Sequence, residues 1–220
     1  MRNYILQINT ALSEASVSIC ANGETIGEKI NPSQQEHAGF LQPAIASLCA
    51  DLQLQLSDLH AVSVVNGPGS YTGLRVGLSA AKGICYALDL PLICINTLEW
   101  MAYANINQDA DWICPMIDAR RMEVFTAVYD KEMNELMKPQ PKILEPSDFL
   151  DHLNEKSIAF VGDGSRKWKE ICHHTNAKFP EAHFDVLSLS KLSQKNYLLN
   201  RFADLAYSEP FYTKEFHSNK

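Results

Sequence analysis

The most informative stretch of this chain reads Gly67-Pro68-Gly69-Ser70-Tyr71-Thr72-Gly73-Leu74-Arg75. It follows an apolar run at 61–65 that is typical of a buried strand, and it precedes an apolar-periodic segment, 74–88, that predicts a helix. Three glycines at a strand-to-helix junction allow the backbone to turn sharply and to approach another surface closely. The first turn of a helix also presents unpaired N–H groups, which favour an anion. The stretch therefore predicts either a phosphate-binding loop or a glycine-rich turn that tightens strand–helix packing.

The spacing within this stretch differs from two familiar phosphate-binding loops. A Walker A loop needs a Lys-Ser or Lys-Thr pair after its last glycine, and none follows Gly73. The dinucleotide fingerprint is G-x-G-x-x-G, whereas Gly67, Gly69 and Gly73 are one residue too widely spaced. For glycines in such a generic spacing we favour the packing turn over the phosphate-binding loop. The choice between the two depends on the rest of the chain.

The two halves of the chain show the same order of predicted elements. In the first half, strands are predicted at 4–10, 15–20, 24–30, 61–65 and 91–95, with helices from a capping box at 33–36, at 74–88 and at 98–104. After a polar linker at 105–111, strands are predicted at 112–118, 123–129, 136–144 and 158–161, with helices after Ser147, at 165–174 and at 188–207. This internal duplication predicts an α/β protein with two related lobes, 1–105 and 106–220, whose final helix can pack back on the first lobe.

Composition narrows the possible classes of function. The 19 basic and 26 acidic residues give a net charge of −7, which argues against broad electrostatic binding of nucleic acid by this chain alone. The six cysteines have no C-x-x-C spacing and lie mostly in apolar stretches, as reduced core thiols do. The first residues are not typical of a signal peptide, and no run reaches the ~18 apolar residues of a membrane span. We expect a cytoplasmic protein without membrane association.

Four segments resemble one family within the actin-like ATPase superfamily. They are Ile5-Leu6-Gln7-Ile8-Asn9-Thr10, Gln35-Glu36-His37 with Leu41-Gln42-Pro43, the stretch at 67–77, and Ile117-Asp118-Ala119-Arg120-Arg121-Met122-Glu123-Val124-Phe125. The last segment is similar to the signature D-A-R-R-x-E-V-Y of that family. On these residues the chain is identified as a member of the TsaB (YeaZ) family, which implies an actin-like (ASKHA) fold with duplicated βββαβα lobes.

The resemblance implies a function other than ATP hydrolysis. The family is the non-catalytic paralogue of TsaD, and it supports formation of N6-threonylcarbamoyladenosine at position 37 of tRNAs that read ANN codons. The implied partners are TsaD in a heterodimer, the small ATPase TsaE, and a second copy of the chain in a homodimer. The resemblance implies that tRNA is contacted only indirectly, through the complex. ATP and metal are expected on the partner subunits, so no cofactor is predicted here.

Two departures from related sequences weaken any case for catalysis. TsaD carries a metal motif similar to V-N-H-L-E-x-H, and the corresponding stretch here reads Ile95-Asn96-Thr97-Leu98-Glu99-Trp100-Met101. Thr97 and Met101 take the two histidine places, and a hydroxyl and a thioether are poor ligands for iron or zinc. Asn9 stands where the family usually has Asp, which removes a charge that actin-like ATPases place near Mg²⁺. We therefore predict no catalytic residue and no metal ligand.

A vestigial nucleotide site remains a candidate, opposed by the simpler interpretation of turns. Its residues would be Asn9, Thr10, Gly67, Gly69, Gly162 and Gly164. A working site there would make the chain an independent actin-like ATPase or kinase, which is the alternative function. A metalloprotease, a third possibility, lacks a ligand set in this sequence.

Two charged clusters invite functional interpretations that we do not favour. Asp118 with Arg120 and Arg121 could be catalytic, but a structural ion pair that holds the strand turn is favoured. The segment 166–169, Arg-Lys-Trp-Lys, combines cations with an aromatic ring, as nucleic-acid patches do. On an acidic protein we favour a solvated helix face.

The family pairs through helices of its first lobe, which correspond here to segments at about 33–52 and 74–88. Positions on the helix faces predict the contact residues of a partner or dimer interface. They are His37, Leu41, Ile45, Leu78 and Lys82.

Overall fold

The computed structural model describes residues 2–32 and 37–212. These residues form two units, each with a five-stranded sheet. The first unit contains the described residues up to Thr97 together with 185–211, and the second contains 98–184 and Tyr212. Residues 98–105 thus cluster with the second unit, although the sequence pattern placed them in the first lobe. The order strand–strand–strand–helix–strand–helix occurs in both units, which confirms the duplicated α/β fold.

The strands and helices occur in the predicted order, and most of their bounds lie close to the predicted ones. The strands are β1 (Tyr4–Asn9), β2 (Ala15–Ala21), β3 (Glu24–Asn31), β4 (Ala61–Gly67), β5 (Leu92–Asn96), β6 (Trp112–Asp118), β7 (Glu123–Tyr129), β8 (Glu135–Ile143), β9 (Ile158–Val161) and β10 (Ala177–Lys178). The helices are α1 (His37–Asp51), α2 (Tyr71–Leu88), α3 (Thr97–Ala104), α4 (Leu150–Glu155), α5 (Ser165–Ile171) and α6 (Val186–Leu198). The capping box predicted at 33–36 lies outside the described residues.

The sheet of the first unit has the order β3-β2-β1-β4-β5. β1 pairs antiparallel with β2 and parallel with β4, so the chain crosses over through α1 between them. On one face, Leu6, Ile8 and Val62 pack with the buried side chains of α1 and α2 in a single apolar core. The apolar side chains of β1 and β4 on this face are therefore buried by both helices.

The opposite face of this sheet is buried but polar. Gln7 Nε2 donates to Ser193 Oγ at 3.1 Å, and Gln7 Oε1 accepts hydrogen bonds from Ser18 at 2.7 Å and from Ser190 at 3.0 Å. Ser193 Oγ in turn donates to Ser63 Oγ at 2.8 Å. Helix α6 thus docks on the sheet through satisfied hydrogen bonds, which is the condition for burying polar groups at little cost.

The final helix is shorter than its sequence pattern predicts. A helix over 188–207 was expected from the apolar spacing, but α6 ends at Leu198. Leu199 N still bonds Lys195 O, and Asn200 then takes a positive φ of 52°, a conformation that stops a right-handed helix. The predicted end is therefore wrong: the apolar positions Phe202 and Leu205 lie on a non-helical segment that follows.

The sheet of the second unit has the order β10-β9-β6-β7-β8. Its core is aromatic: the ring centroids of Phe149 and Trp168 are 5.3 Å apart, and those of Phe160 and Trp168 are 5.8 Å apart. Among the described helices, none is long and apolar enough to cross a membrane.

Candidate functional site

Residues 67–73, here called the glycine loop, join β4 to α2. Gly67 ends β4 with a φ of 122°, and Ser70 caps α2, where its Oγ accepts a hydrogen bond from Gly73 N at 3.3 Å. Ser70 N donates to Ala11 O at 2.7 Å. Two of the N–H groups that an anion would require are thus already bonded within the chain.

The glycines of this junction lie against the backbone of the turn between β1 and β2. A Cβ atom on Gly69 would come within 3.0 Å of Ala11 O, and one on Gly73 within 3.0 Å of Thr10 O. A Cβ on Gly77, one turn further along α2, would meet Thr10 Oγ1 at a similarly short distance. Only glycine fits at these three positions, so close packing against the β1–β2 turn is enough to explain why glycine occurs there.

Asn9 and Thr10 use their polar atoms inside the same junction. Asn9 is 5% exposed, and its Oδ1 accepts a hydrogen bond from Ala11 N at 3.1 Å. Thr10 is fully buried, and its hydroxyl donates to Gly73 O at 2.7 Å. The structure therefore brings four of the candidate residues together: Asn9, Thr10, Gly67 and Gly69. They form a packed junction and not an open cradle for a ligand.

The segment after α6, which the sequence pattern predicted as helix as far as residue 207, closes the other side of the glycine loop. We call residues 203–211 the C-terminal strap. Ala203 N donates to Leu92 O at 2.8 Å, and Phe211 N donates to Asn66 O at 2.7 Å. A Cβ on Gly67 would lie 2.6 Å from the carbonyl oxygen of Phe211. The strap therefore runs from β5 to the start of the glycine loop. The spacing of residues along the sequence could not predict this path, because it depends on contacts between distant residues.

The second glycine turn, at 162–164, packs in the same manner. Gly162 has a φ of 101°, and a Cβ there would come within 3.0 Å of Met116 O. Gly164 N donates to the same carbonyl at 3.1 Å, and Asp163 Oδ1 accepts from Asp118 N at 2.9 Å. The two candidates, Gly162 and Gly164, thus hold the turn against the end of β6, as the simpler interpretation expects.

Asp118 forms a structural ion pair, but its partner differs from the expected one. Lys167 Nζ lies 2.6 Å from Asp118 Oδ1, and Arg120 donates its backbone N–H to the same oxygen at 2.6 Å. The hydrogen bond from Lys167 lowers the pKa of the Asp118 carboxyl below its ordinary value. Trp168 is fully buried in the core, so the segment 166–169 does not form a basic–aromatic surface.

The two residues in the histidine places lie in the interior. Thr97 is fully buried, and Met101 is 1% exposed with its methyl group against Gly162. Among the described residues, no three His, Cys, Asp or Glu side chains converge in a way that could hold a metal ion.

The predicted interface side chains need correction. Leu41, Ile45 and Leu78 are 1%, 3% and 4% exposed, and they belong to the apolar core between the sheet and the two helices. Apolar spacing marks the face that a helix buries, and here that face is covered by the chain itself. Lys82 donates to the carbonyl oxygens of Ala206 and Ser208, both at 3.1 Å, so it clamps the C-terminal strap. His37 begins α1, but its side chain lies outside the described part of the structure.

Comparison with known proteins places these features in a family. The model of the TsaD family, described as tRNA N6-adenosine threonylcarbamoyltransferase, matches residues 25–215. The tRNA threonylcarbamoyladenosine biosynthesis protein TsaB of Bacillus subtilis (strain 168) is 32% identical over 171 residues, which cover 76% of this chain and 74% of that protein. The chain belongs to the TsaB/YeaZ family.

Two further relatives agree with this assignment. TsaB of Escherichia coli (strain K12) is 28% identical over 172 residues, which cover 76% of this chain and 74% of that protein. The solved structure of YeaZ from Pseudomonas aeruginosa superposes with a TM-score of 0.78 at 21% identity, covering 96% of this chain and 99% of that one. At that identity the superposition speaks for the fold, which is the actin-like fold that the sequence motifs predict.

Family membership draws attention to the outer faces of α1 and α2, which hydrophobic spacing could not identify. Their exposed residues are Gly39, Gln42, Pro43, Ala46, Ser47, Ala50 and Asp51 on α1, and Tyr71, Thr72, Arg75, Ser79, Gly83, Tyr86 and Ala87 on α2. Asp51 is paired with Lys29 at 2.5 Å, and Arg75 lies 3.8 Å above the Tyr71 ring. Apart from these two, the exposed residues are uncharged, unlike those of an ordinary solvated helix.

Proposed function

We propose that this chain is a non-catalytic scaffold subunit in the biosynthesis of threonylcarbamoyladenosine at position 37 of tRNAs that read ANN codons. It acts with a TsaD-type transferase and a TsaE-type ATPase. Relatives named for this biosynthesis support the pathway. The observation that carries the non-catalytic role is the packed glycine loop, whose glycines contact the chain's own carbonyl groups.

The proposed partner surface is formed by the outer faces of α1 and α2. Gly39 and Gly83 lie inside these helices, and a Cβ on either would meet no atom within 4 Å. Glycine in a helix interior costs about 1 kcal/mol relative to alanine, and nothing within the described chain requires it there. Close approach of another helix would explain both positions. A homodimer through the same faces competes with the heterodimer.

The remaining roles belong to the partners. In this proposal ATP and metal bind on the TsaD and TsaE subunits, and tRNA is reached through the assembled complex. The net charge of −7 agrees with a chain that does not bind nucleic acid by itself. We place the assembly in the cytoplasm, where tRNA is modified.

The decisive experiment measures tRNA modification by the purified TsaD-type and TsaE-type partners with and without this chain. We expect threonylcarbamoyladenosine only when the chain is present, and no ATP turnover by the chain alone. Modification without the chain would contradict the scaffold role. ATP turnover by the chain alone would favour the alternative, an independent actin-like ATPase or kinase.

The surface assignment has its own test. Gly83→Arg places a long cation on the outer face of α2, and the open space around Gly83 leaves the fold intact. Because burying an unpaired charge costs 2 kcal/mol or more, we expect affinity for the TsaD-type partner to fall at least about 30-fold by calorimetry. Ile143→Arg, at a site 67% exposed in the second unit, is the matched control and should leave affinity unchanged. Equal affinities of the two variants would exclude this face.

A further inference from the structure

An open groove of about 490 Å³ lies between the β2–β3 turn and the C-terminal half of α6. It shares no residue with the glycine loop or with the outer faces of α1 and α2. Its walls are Asn22, Gly23 and Glu24 on one side and Lys191, Gln194, Lys195, Leu198 and Leu199 on the other. The turn is firmly placed, because Asn22 exchanges hydrogen bonds with Asn3 at 2.9 and 3.1 Å.

The helix wall of the groove carries an excess of positive charge. Lys191 and Lys195 are one turn apart on α6 and exposed, and no ion pair among the described residues involves either of them. Glu24 is the one carboxylate in the lining, so two ammonium groups face one carboxylate. On a chain with a net charge of −7, this local excess favours an anionic partner group.

The end of the groove is apolar. Leu198 and Leu199 are 64% and 52% exposed, although both are large aliphatic side chains. Their adjacency at the end of α6 presents a continuous apolar surface beside the two lysines. Covering it with another apolar side chain would remove both leucines from water, which is the usual source of affinity at such contacts.

The floor of the groove contains a polar group with an unmet hydrogen bond. Gln194 Oε1 is buried, and no donor in the described part of the chain reaches it. The side chain lies over Gly23, where a Cβ would come 3.3 Å from Gln194 Cβ. A buried acceptor without a partner costs free energy, and the terminal torsion of an amide turns easily. A ligand that offers N–H or C=O groups would therefore gain by pairing with this amide.

We propose that this groove binds a short peptide segment of a partner protein in which acidic residues flank a large apolar side chain. The apolar side chain packs on Leu198 and Leu199, the carboxylates pair with Lys191 and Lys195, and the peptide backbone bonds the Gln194 amide. A fatty acid would supply the tail and one carboxylate but no N–H group, so the peptide fits the full set of groups better. This surface is separate from the one proposed for the TsaD-type partner.

The test follows backbone amide shifts of the isotopically labelled full chain by NMR during titration with a defined probe. The probe is the blocked hexapeptide acetyl-Asp-Glu-Leu-Phe-Asp-Glu-amide, and its neutral counterpart carries Asn and Gln in place of the acids. We expect saturable shifts centred on 22–24 and 191–199, with a Kd below about 1 mM. The neutral peptide should bind at least about tenfold more weakly.

Two matched double variants separate the groove from net charge. Lys191→Glu with Lys195→Glu should weaken the acidic peptide at least about tenfold, since both ammonium groups are lost. Lys138→Glu with Lys156→Glu changes net charge equally at exposed sites of the second unit and should leave the Kd unchanged. No saturable shift up to about 1 mM, or equal weakening by both variants, would overturn the proposal. Octanoate that shifts the same amides as strongly as the peptide would also overturn it, in favour of a lipid-type site.

Discussion

Two glycines of α2 allow packing at the glycine loop to be separated from helix propensity. Gly73 is buried, and a Cβ there would come within 3.0 Å of the Thr10 carbonyl oxygen, a backbone atom that cannot move without its turn. Gly83 is exposed, and a Cβ there would meet nothing within 4 Å. Replacing each by alanine adds the same methyl group to the same helix in opposite surroundings.

The expected free energies have opposite signs. Gly83→Ala should stabilise the first unit by about 1 kcal/mol, the difference in helix propensity. Gly73→Ala adds a methyl group to a filled space, which costs about 1–3 kcal/mol, and it displaces the Thr10 hydroxyl from its 2.7 Å hydrogen bond to Gly73 O, which costs about 1 kcal/mol more. We therefore expect Gly73→Ala to destabilise the unit by about 2–4 kcal/mol.

The assay must report on the first unit. Tryptophan fluorescence does not, because Trp100, Trp112 and Trp168 all belong to the second unit. Hydrogen exchange of the α2 amides is suitable: Gly83→Ala should slow it about fivefold, and Gly73→Ala should speed it at least about 30-fold. Ser79→Ala, at an exposed position of the same helix, supplies the baseline. Unchanged exchange in Gly73→Ala would mean that the loop has room for a ligand, which would refute the packed junction and strengthen the ATPase alternative.

Three further outcomes follow from particular contacts. Lys82→Met removes the clamp on the C-terminal strap, so amides of 204–211 should exchange about tenfold faster, and unchanged exchange would show that the clamp is dispensable. Lys167→Met removes the hydrogen bond that lowers the pKa of Asp118. Because a lowered pKa stabilises the folded state above the ordinary Asp value, the variant should be less stable by under about 1 kcal/mol at pH 7. In urea titrations followed by tryptophan fluorescence, this difference should shrink as the pH falls below the ordinary Asp value, and a difference that does not change with pH would contradict the assignment. Burial raises the pKa of the Cys20 and Cys85 thiols to about 11 and that of Cys114 to about 12. At pH 8 these three thiols should therefore react with a thiol reagent only after unfolding, and their fast reaction in the folded chain would contradict their burial.

The glycine loop shows what a local sequence pattern can and cannot predict about a site. Glycine spacing at 67–73 identified the junction and offered two interpretations, phosphate binding or packing. The choice depended on which backbone lies opposite each glycine, namely Ala11 and Thr10 from a turn some sixty residues away and Phe211 from the C-terminal strap. No local pattern contains that information, because these contacts are made only when the chain is folded.

The interface residues show the complementary error. Leu41, Ile45 and Leu78 were chosen because they share a helix face, and that periodicity is a signal of burial within the chain. The outer faces of α1 and α2 carry mostly uncharged residues without strong apolar periodicity, so spacing alone could not single them out. Lys82 was chosen by the same rule and turned out to hold the strap, since a long side chain is placed by the acceptors it can reach.

The order of strands and helices, the duplication of the two lobes and the family could be predicted from the sequence, because alternation, apolar period and motif spacing are local properties of the chain. The end of α6 and the packing of the glycine loop depend on contacts between distant parts of the folded chain. Residues 199–207 continue an apolar spacing, yet the bonds of the strap to Leu92, Lys82 and Asn66 draw them out of the helix. The same strap and the β1–β2 turn fill the space around the glycines, so a stretch that resembles a phosphate loop is a packed junction.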